Sequence, residues 1–358
     1  PPPDFLTRLL PSFQEGADAQ QVGFVQARWA FLNGEQNLLT RLQALILDGL
    51  MAVEQAYLDA HGKPLQWNGT GGIWRTQALI DAGGWLGSGA STSVLTEDLD
   101  VSYRALLRGY RGRQRADVSV PSELPAAMSI FLTQQQRWVG GGVQVLRNLL
   151  RQIGQTGLRP RDLITLLSHL ARHARQPYLV LALLWLPLAI FLRTPTADDA
   201  GPLSTLLRAL HSVARLDVAT GLFAAAVIAY YGGAQRQLGR SPGRAVWLAP
   251  LLLPLSIGLA PALSWALFDA LRRPADRAVF VRTPKAGDGS TAPAPPQKGS
   301  RRTGGTLATI EVALGGIYVA LGAVALARGQ ISTAMGLVGL VAAGLLWVGI
   351  GSLRRPPM

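Results

Sequence analysis

VLTEDLDVSYRALLRGY, residues 94–110, sets Glu97, Asp98 and Asp100 within four positions of a chain that carries 34 Lys and Arg against 21 Asp and Glu. Leu99, Tyr103, Leu106 and Tyr110 recur at three-to-four spacing, so a helix starts near Thr96, with Thr96 as its N-cap. Glu97 and Asp98 then fall in the first turn, where unpaired N–H groups and the helix dipole favour acids. Capping of that kind needs no companions elsewhere, and here companions exist. QQQRW at 134–138 and FVRTPK at 280–285 follow in order, separated by long apolar runs. Singly, the first reads as the start of an amphipathic helix near a membrane and the second as an ordinary basic loop. The succession T-E-D, Q-x-x-R-W, apolar runs, F-x-x-T-x-K is much harder to obtain by chance.

Upstream, short apolar strands alternate with helical stretches. VGFVQARW, 22–29, is β-branched and aromatic, and 38–60 places Leu38, Leu42, Leu45, Leu50 and Val53 at helical spacing. LQWNGTGGI, 65–73, reads as a strand feeding a glycine-rich turn, followed by a helix through 78–82 closed by Gly83 and Gly84. Strands alternating with helices predict an α/β sandwich with a mainly parallel sheet.

Downstream of about Pro177, charge-free runs cover 176–192, 218–235, 245–268, 312–327 and 329–353. A spanning helix needs about 20 apolar residues, roughly 17 at the least, so 312–327 is marginal unless 306–310 extend it. Lys and Arg mark the cytoplasmic side. Arg236, Arg240 and Arg244 precede 245–268 and Arg272, Arg273 and Arg277 follow it. With both flanks inside, and with Pro250, Pro254, Gly258 and Pro261 within it, that run is expected to be interfacial or re-entrant. The expected divisions are 1–150 for the α/β part, 151–177 for an amphipathic interfacial segment, and 178–270 for a transmembrane hairpin plus the interfacial or re-entrant helix. A cytoplasmic loop and linker at 271–305 and a second hairpin at 306–353 complete them. PPPDFLTRLL carries neither Met nor a leader pattern and reads as the middle of a protein.

Without Cys there are no disulfides and no thiolate metal sites. His61, His169, His173 and His211 are too scattered for a metal box, and His169 and His173, although four apart, lack the H-E-x-x-H glutamate. The net charge of +13 could suggest nucleic acid, but many of the Arg residues border apolar runs, as cytoplasmic loops beside anionic lipid do.

The chain resembles membrane-integrated family 2 glycosyltransferases, the cellulose synthase-like enzymes, and most of all glucomannan (β-mannan) synthases and their bacterial relatives. The likeness runs through VQARW (25–29), LLTRLQ (38–43), WNGTGGIWR (67–75), GGW (83–85), LTEDLDVSYRALLRGY (95–110), QQQRW and FVRTPK. It implies the C-terminal portion of an α/β GT-A-type catalytic domain followed by an α-helical transmembrane region, in the inner (plasma) membrane with the catalytic part cytoplasmic. It implies that Asp98 of T-E-D, with Glu97 and Thr96, is the base that takes the acceptor's proton. Arg137 would face the departing diphosphate, Trp138 would stack on the acceptor sugar and Gln134 would hydrogen-bond nearby. Asn68, Gly69 and Thr70 match the acceptor-side turn, Gln26 and Arg28 the strand near the donor pocket, and Phe280, Thr283 and Lys285 the gating loop over the nucleotide. The family's divalent cation, Mg2+ or Mn2+, is held by a D-x-D expected ahead of residue 1, and Asp98-Leu99-Asp100 is not that motif. Relatives often carry a polar residue after R-W, where this chain has Val139 and then Gly140, Gly141 and Gly142.

The resemblance implies hexose transfer from UDP-glucose or GDP-mannose to a growing β-linked polysaccharide, with membrane lipids around the chain and no nucleic acid partner. Two alternatives stand beside it: a non-processive transferase acting on a lipid, and an inactive membrane subunit whose acids only cap a helix.

Overall fold

The computed structural model describes residues 1–85, 94–152, 158–191, 201, 216–272 and 298–354. A short helix α1 (Phe5–Leu9) leads into β1 (Val22–Phe31), the central strand of a three-stranded sheet in the order β2-β1-β3. β2 (Gly72–Trp74) runs antiparallel to β1, and β3 (Arg111–Ser122) runs parallel to it, with a register shift between Ala27 and Arg28. The sheet is therefore mixed, not mainly parallel.

Of the stretch expected as a strand over 65–73, only Gly72 and Ile73 join the sheet, with Trp74 after them. The residues before it curl into a turn with Gly69 and Gly71 at φ +83° and +78°, which ends the extended path. β3 was not legible as a strand because RGRQRADVS is too charged. Its arginines point outward to acids: Arg113 pairs with Asp18 and, at 3.3 Å, with Asp59, while Arg115 pairs with Asp117 at 2.9 Å. On its inner side Val118 is fully buried, and Gly112 leaves room for the Phe24 ring.

Residues 38–60 are helical throughout, as their spacing predicts. α2 (Leu38–Gly49) begins in a capping box, in which Thr40 N–H donates to Asn37 Oδ1 at 2.9 Å and Asn37 N–H to Thr40 Oγ1 at 3.0 Å. It passes through a π turn (Leu50–Glu54) into α3 (Gln55–Ala60). α4 (Thr76–Asp81) and α5 (Glu97–Leu107) flank the sheet, and α6 (Met128–Gln152) carries QQQRW. α7 (Pro160–Leu170) buries Leu166 and exposes Ile164, consistent with an amphipathic segment.

α8 (Arg175–Phe191) and α9 (Leu216–Gln237) cover the first two apolar runs. α10 (Gly243–Leu248) continues through a single 3-10 turn into α11 (Leu252–Arg272). Apart from that turn, 245–268 is helical. Pro250 and Pro254 fall at the starts of helical segments, where a missing N–H is tolerated, and only Pro261 is interior. α12 (Lys298–Ala327) is followed by α13 (Ile331–Gly336), a π turn and α14 (Ala343–Leu353). Among the described residues three helices are long and apolar enough to cross a membrane: Gly243–Arg272, Gly305–Ala327 and Ile331–Leu353, with mean hydropathy of 1.9, 2.0 and 2.0.

Gly258 and Gly344 bring the backbones of α11 and α14 together so closely that a Cβ on either would strike the other helix's carbonyl. A single core then runs from the sheet-bearing part into these helices. Leu39 and Leu42 of α2 and Met128, Phe131, Leu132 and Val139 of α6 pack with Leu255, Leu259 and Leu263 of α11 and Val348 of α14.

Candidate active site

α5 starts where its sequence predicts. Thr96 occupies the N-cap position, with the three acids in the first turn, but its hydroxyl makes no capping bond. Instead Thr96 is buried under α6, whose Gly141 lies so close that a Cβ there would collide with the Thr96 side chain. Beside it, Leu95 N–H donates to Gln144 Oε1 at 2.9 Å. The glycine run after QQQRW thus admits the start of α5 against α6.

The three acids diverge. Asp100 is buried and committed to Arg104 at 2.7 Å, and Arg104 in turn donates to the carbonyls of Gly84, at 2.9 Å, and Ala82. It is a structural acid, and a more buried one than a helix-surface position implies. Glu97 is exposed. Asp98 turns toward the WNGTGG turn: a Cβ on Gly69 would lie 2.7 Å from its Oδ2, while its Oδ1 accepts Leu99 N–H at 2.8 Å. Burial pushes the Asp98 carboxyl from 3.8 up to about 6. The Leu99 N–H pulls against that rise, neighbouring Glu97 adds to it, and Arg137 opposes it. Arg137 therefore sits within electrostatic reach of Asp98 and Glu97. Burial lowers its own pKa while both acids raise it. Gln134 and Trp138 lie on the same face of α6 as Arg137, at i, i+3 and i+4, and both are half-buried.

The turn itself is clamped from two sides. Gln26, fully buried on β1, donates from Nε2 to Thr70 O at 2.9 Å and Gly71 O at 3.1 Å, and accepts Asn68 N–H on Oε1 at 3.1 Å. Trp29 Nε1 donates to Thr70 O at 3.1 Å. From the helical side, Gln55 Oε1 accepts from Asn68 Nδ2 at 3.1 Å. Thr70 is left exposed at the tip.

Thr96, Glu97, Asp98, Asn68, Gly69, Thr70, Gln26 and Arg137 thus belong to one neighbourhood, in which Gln26 uses its amide to shape the turn. Arg28 faces elsewhere. It donates to Trp29 O at 3.1 Å and Ala116 O at 3.3 Å and lies in the field of Asp48 and Arg240. Buried Asp48 accepts from Arg240 Nη1 at 2.7 Å and Gln235 Nε2 at 3.1 Å, which joins α2 to the end of α9. Phe280, Thr283, Lys285 and His211 lie outside the described residues. His169 bonds the Tyr103 hydroxyl of α5, and burial holds it well below its ordinary value.

Sequence reasoning missed Gln55, Gln144 and Gly141. Only Gly141 left a signal, since three glycines inside a helical pattern cost about 1 kcal/mol each and call for a packing reason. These acids do not fit a divalent cation. Asp100 is taken by Arg104, Asp98 holds Leu99 N–H on one oxygen and sets the other against Gly69, and no three His, Asp or Glu gather among the described residues.

The sequence profile of glycosyl transferase family group 2 matches residues 1–234. The chain belongs to this family. Its similarity to curated members of known name is concentrated in fewer than half of its residues. It is 38% identical over 153 residues to glucomannan 4-beta-mannosyltransferase 1 of Oryza sativa subsp. japonica, which is 43% of this chain and 28% of that protein. It is 38% identical over 153 residues to glucomannan 4-beta-mannosyltransferase 2 of Arabidopsis thaliana, 43% of this chain and 27% of the relative. Probable glucomannan 4-beta-mannosyltransferase 7 of Oryza sativa subsp. japonica is 38% identical over 163 residues, 46% and 26% of the two chains. The matched stretch spans little more than a quarter of the length of these relatives. In this family member the T-E-D helix, the glycine turn and the R-W helix form one cluster beside the apolar helices.

Proposed function

We propose that this chain carries the acceptor side of a membrane glycosyltransferase that moves a hexose, with inversion, from a nucleoside diphosphate sugar to the end of a growing β-linked polysaccharide. The observation that carries the reading is Asp98, set against the Gly69 turn with Arg137 in its field.

In this reading an acceptor hydroxyl lies over the turn, where the exposed Gly69 and Thr70 let a sugar approach the backbone. Asp98 takes the hydroxyl proton while the oxygen attacks the anomeric carbon from the face opposite the diphosphate. The old C–O bond breaks, and its electron pair leaves on the nucleoside diphosphate. A carboxyl near 6 is mostly ionised at neutral pH yet more basic than an ordinary carboxylate, which suits a base. Arg137 then balances the charge growing on the diphosphate. Trp138 and Gln134 bear on the acceptor, and Lys285, Thr283 and Phe280 on the nucleotide. We assign no residue of this chain to a divalent cation.

The names of the relatives favour a mannosyl donor, with UDP-glucose as the alternative to GDP-mannose. The apolar helices, in the inner membrane with the catalytic part cytoplasmic, would lead the product outward. Arg240, Arg244 and Arg272 at both ends of Gly243–Arg272 keep that helix on the cytoplasmic side in this reading.

The test is the full-length protein in membranes, with each radiolabelled donor, beside its Asp98→Asn variant. Label in alcohol-insoluble polymer that disappears in the variant, with donor binding retained, supports the reading. Label extracted into organic solvent points to a lipid acceptor instead, and unchanged turnover in Asp98→Asn removes Asp98 as the base.

A further inference from the structure

We infer that Gln55 is a positioning residue for the transfer reaction, holding the acceptor turn against Asp98 from the helical side; this rests on the reading of Asp98 as the base. The turn at 66–71 belongs to no strand, so its shape depends on side chains. β1 supplies Gln26 and Trp29, both to backbone groups. Gln55 instead takes hold of the Asn68 side chain, next to Gly69. Its Oε1 accepts from Asn68 Nδ2 at 3.1 Å, and its Nε2 reaches Gln66 O at 3.5 Å. Gln55 itself has no exposed surface, so its amide depends on these two contacts, and a buried amide left without partners is costly. The residue after Asn68 is Gly69, whose Cα faces the Asp98 carboxylate.

The π turn explains how Gln55 arrives there. An extra residue in a helical turn rotates everything after it by about 100° relative to an unbroken α-helix, and such insertions recur at functional sites. Three links are made in and just after the π turn at Leu50–Glu54. Met51 Sδ accepts Trp29 N–H at 3.2 Å, Glu54 pairs with Arg172 at 3.1 Å, and Gln55 takes Asn68. Removing the inserted residue would swing Gln55 off the turn.

Gln55→Met keeps the length and loses both hydrogen bonds. In the full-length protein it should lower kcat by about tenfold, the equivalent of one buried hydrogen bond, and leave the donor KM within about twofold. A loosened turn also lets water reach Asp98, so the acid limb of the pH–rate profile, expected near 6 in the wild type, should move to lower pH in the variant. Amide hydrogen exchange should quicken over 66–72 and stay unchanged in β3. Asn68→Ala breaks the same bond from the half-buried side and should shift the same limb, which covers a Gln55→Met protein that fails to fold. An unmoved limb, or unchanged exchange over 66–72, overturns the role of Gln55. Asp98→Asn run alongside separates the two failures: turnover retained there removes the base, whereas a dead Asp98→Asn beside an unmoved limb removes only Gln55.

Discussion

Replacing Asp98 by Asn should abolish turnover and at the same time make the protein more stable. In the folded chain the carboxyl is pushed from 3.8 to about 6, chiefly by burial. A raised carboxyl pKa means that the native state binds a proton more tightly than the unfolded chain does, so the ionised side chain works against folding. The penalty is absent below about 3.8, where both states are protonated. It grows as pH rises toward about 6 and is complete above that. At about 1.4 kcal/mol per pH unit the full difference is about 3 kcal/mol, and the solvent contact that half-buried Asp98 retains reduces it to about 2 kcal/mol. Asn keeps an oxygen for Leu99 N–H and carries no charge, so it should recover most of that amount. Thermal unfolding of the purified full-length protein and of Asp98→Asn, at pH 7.5 and again near pH 5, reads the effect directly. The variant should melt a few degrees higher at pH 7.5, and the gap should narrow at the lower pH. A variant that is no more stable at pH 7.5, or one whose advantage is the same at both pH values, would refute the account of Asp98 as a desolvated base.

Gly69→Ala forces a side chain into φ +83° and against Asp98 Oδ2; a loss of about 1–2 kcal/mol in stability and a steep fall in polymer synthesis should follow, measured by melting and by label incorporation. Gly141→Val should push α6 away from Thr96, destabilising the protein by about 1–3 kcal/mol; a melting temperature equal to wild type would show that the close approach is not needed. Arg240→Met leaves the buried Asp48 carboxylate without its ion-pair partner. About 2 kcal/mol should be lost at neutral pH, allowing for the exposure of Arg240, and less at acid pH, where a protonated Asp48 needs no counter-charge.

The elements that the sequence declared were those whose burial follows a simple period. α5 begins at Glu97 as the apolar spacing requires, β1 follows from its β-branched and aromatic residues, and the helix over 38–60 follows from its apolar spacing. β3 hid because its arginines answer acids distant in sequence, Asp18 and Asp59, which no local pattern reveals. The strand expected over 65–73 failed for the opposite reason. Its apolar residues Leu65 and Trp67 are buried, as a strand's would be, but they pack with Phe24 beneath an irregular segment. At the candidate site, motif order drew attention to the stretches that hold Asp98 and Arg137, the resemblance added Gly69, and the structure sets the three in one neighbourhood. Gln55 and Gln144 were invisible, since a single glutamine inside a helical stretch carries no period, no charge and no spacing rule. Their meaning comes only from what the fold sets opposite them.

The core shared by α2, α6, α11 and α14 leaves no seam along which the catalytic half could be cut free. An excised 1–150 fragment would present Leu39, Leu42, Met128, Phe131 and Leu132 to water as one oily face. In the proposed membrane enzyme the same continuity would tie the chemistry to the surrounding lipid. A detergent or bilayer that lets α11 and α14 tilt or part would pull on α6, and through Gly141 on the start of α5. Turnover in this chain should therefore follow the thickness of the membrane that holds it.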